Sequence, residues 1–278
     1  MYRDQQKKIA AINDFCGFGR CSLAVSLPII SAMGLQCCPL PTAVFSNHTG
    51  YDSFWHTDFT SYMDAYMEQW ERLELHFDGI LTGFLGSPEQ IGFVSRFMER
   101  FKSIDTVTVI DPVMGDDGVL YATYSSKLAD NMTQLLRYAD ILTPNLTEAC
   151  ILTGTPYREN MGEEELLRIC EKLHTMGPGK IVISGLERGM DLENFVYETG
   201  KSPVVVREHK TGPCRAGTGD VFASVLMADA VRGVPLAESV CGASAFIAKA
   251  LRRTMELDLP EPDGIAFEEF LWELGGTK

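Results

Sequence analysis

Short apolar or β-branched runs recur along the whole chain, separated by longer segments that are mixed in polarity. Buried strands of a sheet are typically short apolar runs bounded by turn residues, so each run predicts a β-strand. The predicted strands cover residues 8–14, 37–45, 77–84, 106–113, 139–145, 180–186, 194–199 and 202–209.

Most of the intervening segments repeat their apolar residues every three or four positions, as amphipathic helices do. Helices are expected at 59–74, 88–102, 125–138, 162–176, 218–232, 236–257 and 265–274. Strands that alternate with helices form a parallel sheet covered on both faces. Only Gly200 and Lys201 separate the last two runs, which predicts an antiparallel hairpin added to the sheet. The pattern therefore predicts an α/β fold, a three-layer α/β/α sandwich with a central, mostly parallel sheet.

Length and composition are those of an ordinary globular domain. The chain has 278 residues, of which 45% are hydrophobic and 22% charged, so it can bury a large core. No composition shift marks a linker, and residues 1–278 are expected to form a single domain. The N-terminal segment lacks the apolar stretch of a signal peptide, and no run approaches the roughly 18 apolar residues of a membrane span. A cytoplasmic protein without membrane contact is expected.

The charge balance makes one class of partner unexpected. The chain carries 24 Lys and Arg against 38 Asp and Glu, a formal net charge of −14, and has no basic run. Nucleic-acid binding needs clustered positive charge, so no nucleic acid is expected to bind. A nucleotide can still bind where metal ions and a few cations offset its phosphates.

Polar residues follow several of the predicted strands directly. Ligands of open parallel sheets bind beyond the carboxyl ends of the strands, so these positions are the first candidates for a site. They are Asn13-Asp14, 46–49, Asp111-Pro112, 143–145 and Ser184-Gly185.

A second candidate is the GTGD segment at 217–220, which precedes an apolar helix. Glycines allow close approach, and the free amides at a helix N-terminus attract an anion. Asp220 would then lie beside that anion, where a carboxylate could take a proton from an attacking hydroxyl. A plain turn followed by a favourable first-turn acid explains the segment about equally well.

Two common nucleotide-binding motifs are missing. The chain has no GxxxxGK[ST] sequence, which excludes a P-loop. The GFGRCS segment at 17–22 has Ser22 in place of the third glycine of a dinucleotide fingerprint, and no acid follows before Asp52 to hold a ribose. A dehydrogenase is therefore not expected.

Taken together, FSNHTGY (45–51), DPVMGDDG (111–118), TPNLTEA (143–149) and GTGDVFAS (217–224) resemble the motif set of pyridoxal kinases in the ribokinase-like superfamily. The resemblance implies a ribokinase-like fold with a small lid or none, and a homodimer. It implies an ATP-dependent kinase that phosphorylates the 5′-hydroxymethyl group of a vitamin B6 vitamer, which is pyridoxal, pyridoxine or pyridoxamine. ATP and Mg²⁺ are the implied cofactors, and the need for a monovalent cation stays open.

The resemblance also implies roles for individual residues in phosphoryl transfer. Asp220 corresponds to the general base of the family. The backbone of Gly217, Thr218 and Gly219 would form the anion hole for the transferring phosphoryl group.

The same resemblance implies a set of metal and nucleotide contacts. Asp111, Asp116 and Glu148 would hold or orient Mg²⁺, directly or through water. ATP binding is implied for Asp111, Thr143, Asn145, Ser184, Lys210 and Arg215. A simple strand-end hydrogen bond is nearly as good an interpretation of Ser184, and solvation is the usual state of a surface lysine such as Lys210.

Contacts to the vitamer are implied for Asp14, His48, Thr49, Phe84 and Tyr121. Two of these depart from the family pattern. Asp14 stands where a serine usually contacts the substrate, and Phe84 replaces a common tyrosine. We hypothesise that Asp14 favours pyridoxamine or pyridoxine over pyridoxal. His48 by itself would be interpreted as an ordinary loop histidine.

Other functions remain open from the sequence. Hydroxymethylpyrimidine kinases share the fold and phosphorylate a similar group, although the glycine-rich segment that they carry after the first strand is broken here. A sugar kinase is less favoured, because the insertion that would form its lid is hard to find before Tyr51. A catalytically silent protein that binds nucleotide or vitamer is the alternative from a different class.

Overall fold

A computed structural model describes residues 6–121 and 126–275 of the chain. Its strands are β1 (Lys8–Cys16), β2 (Gln36–Phe45), β3 (His56–Asp58), β4 (Gly79–Thr82), β5 (Val107–Ile110), β6 (Gly115–Asp116), β7 (Val119–Leu120), β8 (Ile141–Leu142), β9 (Lys180–Arg188), β10 (Asp191–Glu198) and β11 (Val204–His209). Its α-helices are α1 (Leu23–Ala32), α2 (Thr60–Arg72), α3 (Pro88–Phe101), α4 (Ser126–Met132), α5 (Leu146–Thr153), α6 (Glu163–His174), α7 (Thr218–Arg232), α8 (Leu236–Glu256) and α9 (Leu271–Leu274).

A sheet of 9 strands runs through the described part of the molecule in the order β11-β10-β9-β8-β5-β4-β1-β2-β3. The strands from β9 to β2 are parallel to one another, whereas β10 pairs antiparallel with both β9 and β11 at one edge and β3 pairs antiparallel with β2 at the other. β6 and β7 form a separate two-stranded hairpin. This topology confirms the predicted mostly parallel sheet and the hairpin between β10 and β11.

Helices cover both faces of the sheet. Side chains alternate between the two faces along each inner strand, so Ile80 of β4 joins one apolar cluster and Leu81 joins the other. The first cluster contains α2, α3, α4, α5 and α6, and the second contains α1, α7 and α8. The predicted three-layer α/β/α sandwich is therefore confirmed. No helix within the described residues has both the length and the apolar character that crossing a bilayer requires.

The C-terminal segment differs from its predicted helix at 265–274. Ile265, Ala266 and Phe267 are all buried, a run that no one-sided amphipathic helix allows. Their backbone bonds elsewhere, because the Ile265 amide donates to the Ala216 carbonyl and the Ala266 amide to the Thr254 hydroxyl. Helical structure begins only with a 3₁₀ turn at Glu268–Phe270 and continues in the short α9.

Other element boundaries also differ from the sequence pattern. β9 and β10 are longer than expected and form a tight hairpin at Gly189, whose φ of 65° suits glycine. The predicted helix at 125–138 is α4 followed by a 3₁₀ segment, Thr133–Tyr138, and residue 125 lies outside the described residues. Five of these elements, β3, β6, β7, α1 and α5, were not predicted.

An aromatic cluster packs α2 and α3 against each other and against the sheet. Phe97 of α3 is fully buried, and its ring centroid lies 4.6 Å from that of Phe101, 6.0 Å from Trp70 and 6.1 Å from Phe77. Such offset and edge-to-face contacts add to the free energy gained by burying the rings.

We expect Phe97→Ala to lower the free energy of unfolding by about 3–5 kcal/mol, because it leaves a cavity among rings that cannot close over it. Denaturant unfolding followed by circular dichroism measures the change. Ile104→Ala is the control, since Ile104 is 99% exposed. A loss below about 1 kcal/mol in Phe97→Ala would contradict this assignment of the core.

Candidate active site

The turn before α7 has the geometry of an anion site. Gly217 caps the helix with a φ of 84°, and a β-carbon there would lie 2.0 Å from the Arg20 carbonyl oxygen, so only glycine fits. Around Gly219 the β-carbon position is open, and neither its amide nor that of Gly217 has an acceptor among the residues that the structure describes. The positive end of the helix therefore offers two amides that could donate to an anion.

Thr218 differs from the simplest version of the predicted anion hole. Its amide donates to the Arg215 carbonyl at 3.3 Å, and its hydroxyl donates to the same oxygen at 3.0 Å. Thr218 thus fixes the turn internally, and its amide would have to leave Arg215 to reach a phosphate.

Asp220 lies in the first turn of α7, as the sequence predicts, and is half-buried. One carboxylate oxygen accepts from the Asn13 amide group at 3.0 Å and the other from the Ser22 backbone amide at 2.7 Å. Burial raises the pKa of Asp220, while these two donors oppose the rise. The result is an oriented carboxylate with increased proton affinity.

Asn13 is one of the strand-end candidates from the sequence, which assigned it no role in the site. Its side-chain oxygen accepts from the amides of Phe84 and Asp14 at 2.8 and 2.9 Å, while its nitrogen donates to Asp220. One side chain therefore joins the ends of β1 and β4 to α7. The sequence signal for Asn13 was its position directly after an apolar run, next to Asp14, which the resemblance assigned to the site.

Asp14 is buried beside the base, with 7% of its surface exposed. One of its oxygens accepts from the Ser22 hydroxyl at 2.6 Å. Burial raises the pKa of Asp14 to about 7, with the Ser22 hydrogen bond opposing and the charge of Asp220 adding to the rise. Asp14 therefore changes its charge near neutral pH.

Asp111 and Glu148 form a second pair of acids at the same edge. Burial, the charge of Glu148 and the charge of Asp220 together raise the pKa of Asp111 well above its usual range, against a hydrogen bond from Thr143. Burial also raises the pKa of Glu148, although the amides of Met114 and Asn145 donate to its carboxylate. Asp111, Glu148 and Asp220 thus lie within one electrostatic neighbourhood.

Asp116 is the exposed member of the predicted metal set. It precedes the β6–β7 turn, in which Asp117 and Gly118 have φ values of 50° and 78°. Among the described residues, no three His, Cys, Asp or Glu side chains are arranged to hold a metal ion. The donor chemistry fits Mg²⁺, because Asp111 and Glu148 supply hard oxygens, but most coordination would come from phosphate and water.

The predicted ATP residues occupy several different environments. The Asn145 side chain caps α5 by accepting from the Glu148 amide, and it donates to the Gly115 carbonyl. Ser184 lies inside the longer β9, where it bridges to Asn145. Lys210 forms an ion pair with Glu187 at 2.6 Å.

Arg215 and Tyr121 border the same region. Arg215 contacts the Met255 sulfur, and its Nε atom is buried without a hydrogen-bond partner among the described residues. Tyr121 is 43% exposed, and burial of its hydroxyl together with the charges of Glu148, Asp116 and Asp111 raises its pKa. The hydroxyl therefore lies within electrostatic range of the acids predicted to bind the metal.

His48 and Thr49 lie on the loop after β2. The His48 ring accepts from the Gly50 amide at 3.2 Å, its backbone amide donates to the Phe18 carbonyl, and burial lowers its pKa. Burial thus favours the neutral form of the imidazole, against the charge of Glu261. Thr49 is exposed, and Phe84 is half-buried at the end of β4.

Comparison with known proteins identifies the family. A family model described as phosphomethylpyrimidine kinase matches residues 27–261. Pyridoxal kinase of Ovis aries is 31% identical over 228 residues, which cover 74% of this chain and 71% of the relative. The chain belongs to the pyridoxal kinase family.

Two solved structures are similar over nearly the whole chain. A Bacteroides thetaiotaomicron protein, named as a candidate phosphomethylpyrimidine kinase and crystallised with pyridoxal, is 37% identical with a TM-score of 0.92, and the match covers 99% of this chain and 97% of the other. Pyridoxal kinase of Lactobacillus plantarum is 27% identical with a TM-score of 0.90, over 96% of each chain. The family, the kinase class and the ribokinase-like fold predicted from the sequence motifs are confirmed.

The raised pKa of Asp14 predicts how stability depends on pH. A carboxyl group whose pKa rises on folding favours the folded state when protonated, so this stabilisation is complete below about pH 4 and is lost as pH rises through about 7. In the absence of ligands, the wild type should lose stability over this range by up to about 1 kcal/mol per pH unit from this group, and Asp14→Asn should show a shallower slope.

Urea unfolding at several pH values between about 5 and 8 measures both slopes. Asp105→Asn is the control, because Asp105 is exposed and lies near the opposite ends of the strands. Equal slopes for the wild type and Asp14→Asn would show that Asp14 does not take up its proton in this range.

Proposed function

We propose that this chain is an ATP-dependent kinase that phosphorylates the 5′-hydroxymethyl group of pyridoxal, pyridoxine or pyridoxamine. The observation that carries the proposal is the position of Asp220, at the amide-rich N-terminus of α7, with its carboxylate held by Asn13 and Ser22. The named relatives support the vitamer class, since one is a pyridoxal kinase and another was crystallised with pyridoxal.

Asp220 would accept the proton of the vitamer hydroxyl as that oxygen attacks the γ-phosphorus of ATP and the bond from this phosphorus to the bridging oxygen breaks, which releases ADP. Its two protein donors restrict rotation of the carboxylate, which reduces the orientational cost of the reaction. Its raised pKa makes it a stronger acceptor than an exposed aspartate. The amides of Gly217 and Gly219 would bind the transferring phosphoryl oxygens, where negative charge must be stabilised.

Mg²⁺ and ATP are the cofactors of the proposed reaction. Bound Mg²⁺ would offset the phosphate charges, and Asp111 and Glu148 would orient it through their carboxylates or through water. Asp116 would approach from the β6–β7 hairpin. Arg215 and Lys210 are the cations that would contact the nucleotide, and Lys210 must first exchange Glu187 for a phosphate.

The proposal extends to properties of the whole chain. A single domain agrees with the one main sheet that runs through the described residues. The sequence resemblance implies a homodimer, and the sequence also predicts a cytoplasmic protein. We include both properties in the proposal. Light scattering coupled to size-exclusion chromatography would measure the oligomeric state.

We expect the wild type to phosphorylate at least one pyridine vitamer with Mg-ATP, and Asp220→Asn to lower kcat by about 10³-fold or more, because the base is lost while its shape is kept. The assay uses pyridoxal, pyridoxine, pyridoxamine and hydroxymethylpyrimidine, with ATP affinity measured by calorimetry.

Asp229→Asn is the matched control, since Asp229 lies on the same helix and bonds Ser239 away from the site. Comparable turnover by Asp220→Asn would remove Asp220 from the mechanism. Phosphorylation of hydroxymethylpyrimidine alone would favour that alternative substrate, and nucleotide binding without any turnover would favour a silent binding protein.

Gly219→Ala tests the anion hole separately from the base. Alanine stabilises a helix by up to about 1 kcal/mol relative to glycine, and no protein atom would contact the added methyl group. The variant should therefore fold at least as well as the wild type. Its kcat/KM for ATP should fall by about tenfold or more, because the methyl group fills the space reserved for phosphate.

Gly242→Ala is the matched control, because Gly242 is exposed on α8 and its β-carbon position is also open. It should gain stability without loss of activity. Full activity in Gly219→Ala would contradict a phosphate site at this turn.

A further inference from the structure

Ser22 is the residue that connects the base to a second buried carboxylate. Its backbone amide donates to Asp220 at 2.7 Å, and its hydroxyl donates to Asp14 at 2.6 Å. The two acids come from the end of β1 and the start of α7, so this one residue spans both.

The backbone of Ser22 adopts a conformation that suits glycine. Its φ is 55° and its ψ is −135°, and it is the only non-glycine residue of the described chain with a positive φ that also contacts Asp220. A conformation of this kind is unfavourable for a residue with a β-carbon and persists only where neighbouring contacts impose it. Glycine would adopt it freely and would still supply the amide. Compared with glycine, serine adds only the hydroxymethyl group, whose hydroxyl donates to Asp14.

Ser22 also determines how α1 begins. Its carbonyl accepts from the amides of Val25 and Ser26, and the Ser26 hydroxyl bonds both Ser22 and Ser224 of α7. A change in the orientation of Ser22 would therefore move the amide that holds Asp220.

We propose that Asp14 is a positioning residue for the base, which acts through the Ser22 hydroxyl to fix the amide that holds Asp220. This inference rests on the proposed function, because it assigns Asp14 a part in that same reaction. In this proposal Asp14 acts on the base Asp220, whereas the sequence resemblance implies that Asp14 contacts the vitamer.

The two acids also interact electrostatically, because the charge of Asp220 contributes to the raised pKa of Asp14. The other titratable groups that face them are the thiols of Cys16 and Cys21, which hydrogen-bond to each other, and the carboxyl group of Asp111. No cation among the described residues contributes to the shifted pKa of Asp14 or of Asp220. The charge of Asp220 therefore favours the protonated form of Asp14.

Three variants separate the hydrogen bond from the charge. Asp14→Asn keeps an acceptor for the Ser22 hydroxyl but removes the charge, Asp14→Ala removes both, and Ser22→Gly keeps the amide and relieves the φ but removes the hydroxyl. Asp229→Ala is the matched control, because it breaks a similar aspartate–serine hydrogen bond, of 2.9 Å, at the other end of α7.

With the vitamer that the wild type phosphorylates best, Asp14→Ala and Ser22→Gly should lower kcat by about tenfold or more with little change in the KM for ATP. Asp14→Asn should lower kcat less than Asp14→Ala does, because asparagine keeps an acceptor for the Ser22 hydroxyl. Any change in rate that accompanies the ionisation of Asp14 near pH 7 should be absent from its pH profile. Asp229→Ala should keep both the rate and the profile.

Wild-type kcat in both Asp14→Ala and Ser22→Gly would overturn the proposal. If Asp14→Ala does not fold, Ser22→Gly decides, since it removes the hydroxyl and leaves Asp14 in place. Carbon-13 NMR of the aspartate carboxyl groups gives a readout that is independent of turnover. The pKa of Asp14 should be lower in Asp220→Asn than in the wild type, because the charge of Asp220 contributes to its rise, and an equal pKa would refute the coupling even if no vitamer were phosphorylated.

Discussion

The hydrogen bonds from Asn13 and Ser22 to Asp220 are the interaction on which the site depends. They join residues that lie 207 and 198 positions apart in the chain, so they form only once the sheet and α7 have packed together. A carboxylate that is half-buried near two other acids is unfavourable unless donors hold it. These donors supply that stabilisation, and they also decide the direction in which the carboxylate faces.

The packing of α7 explains how its N-terminus reaches this place. The helix is buried over most of its surface, because it lies between α1 and α8 and over the central strands. At Gly79 of β4 a β-carbon would lie 2.5 Å from the Met227 side chain, so the helix approaches the sheet closely there. An apolar helix in such a position has little freedom to shift, and the polar turn at its start is held at the carboxyl edge of the sheet.

Periodicity was sufficient to predict the layers, most strands and the first-turn position of Asp220, because these depend on local patterns of burial. It could not predict that Asn13 serves three partners or that Ser22 holds the base, since both roles depend on contacts across the sheet. The resemblance identified the acids at 111, 116 and 148 together but could not distinguish buried Glu148 from exposed Asp116. The segment at 265–267 was mistaken for a helix because its apolar residues are buried by tertiary contacts rather than along one helical stripe.

The segment that follows α8 packs against the turn before α7 and hydrogen-bonds to it. The Arg20 carbonyl lies against both Gly217 and Gly264, the Arg20 amide donates to the Asp263 carbonyl, and Ile265 bonds Ala216. Residues 263–265, which make these contacts, lie beyond the end of the family-model match at residue 261, and Asn13, Arg20 and Ser22 lie before its start at residue 27. A truncated version designed to those limits would lose β1 from between β4 and β2 in the sheet, together with Asn13 and Ser22, which hold Asp220.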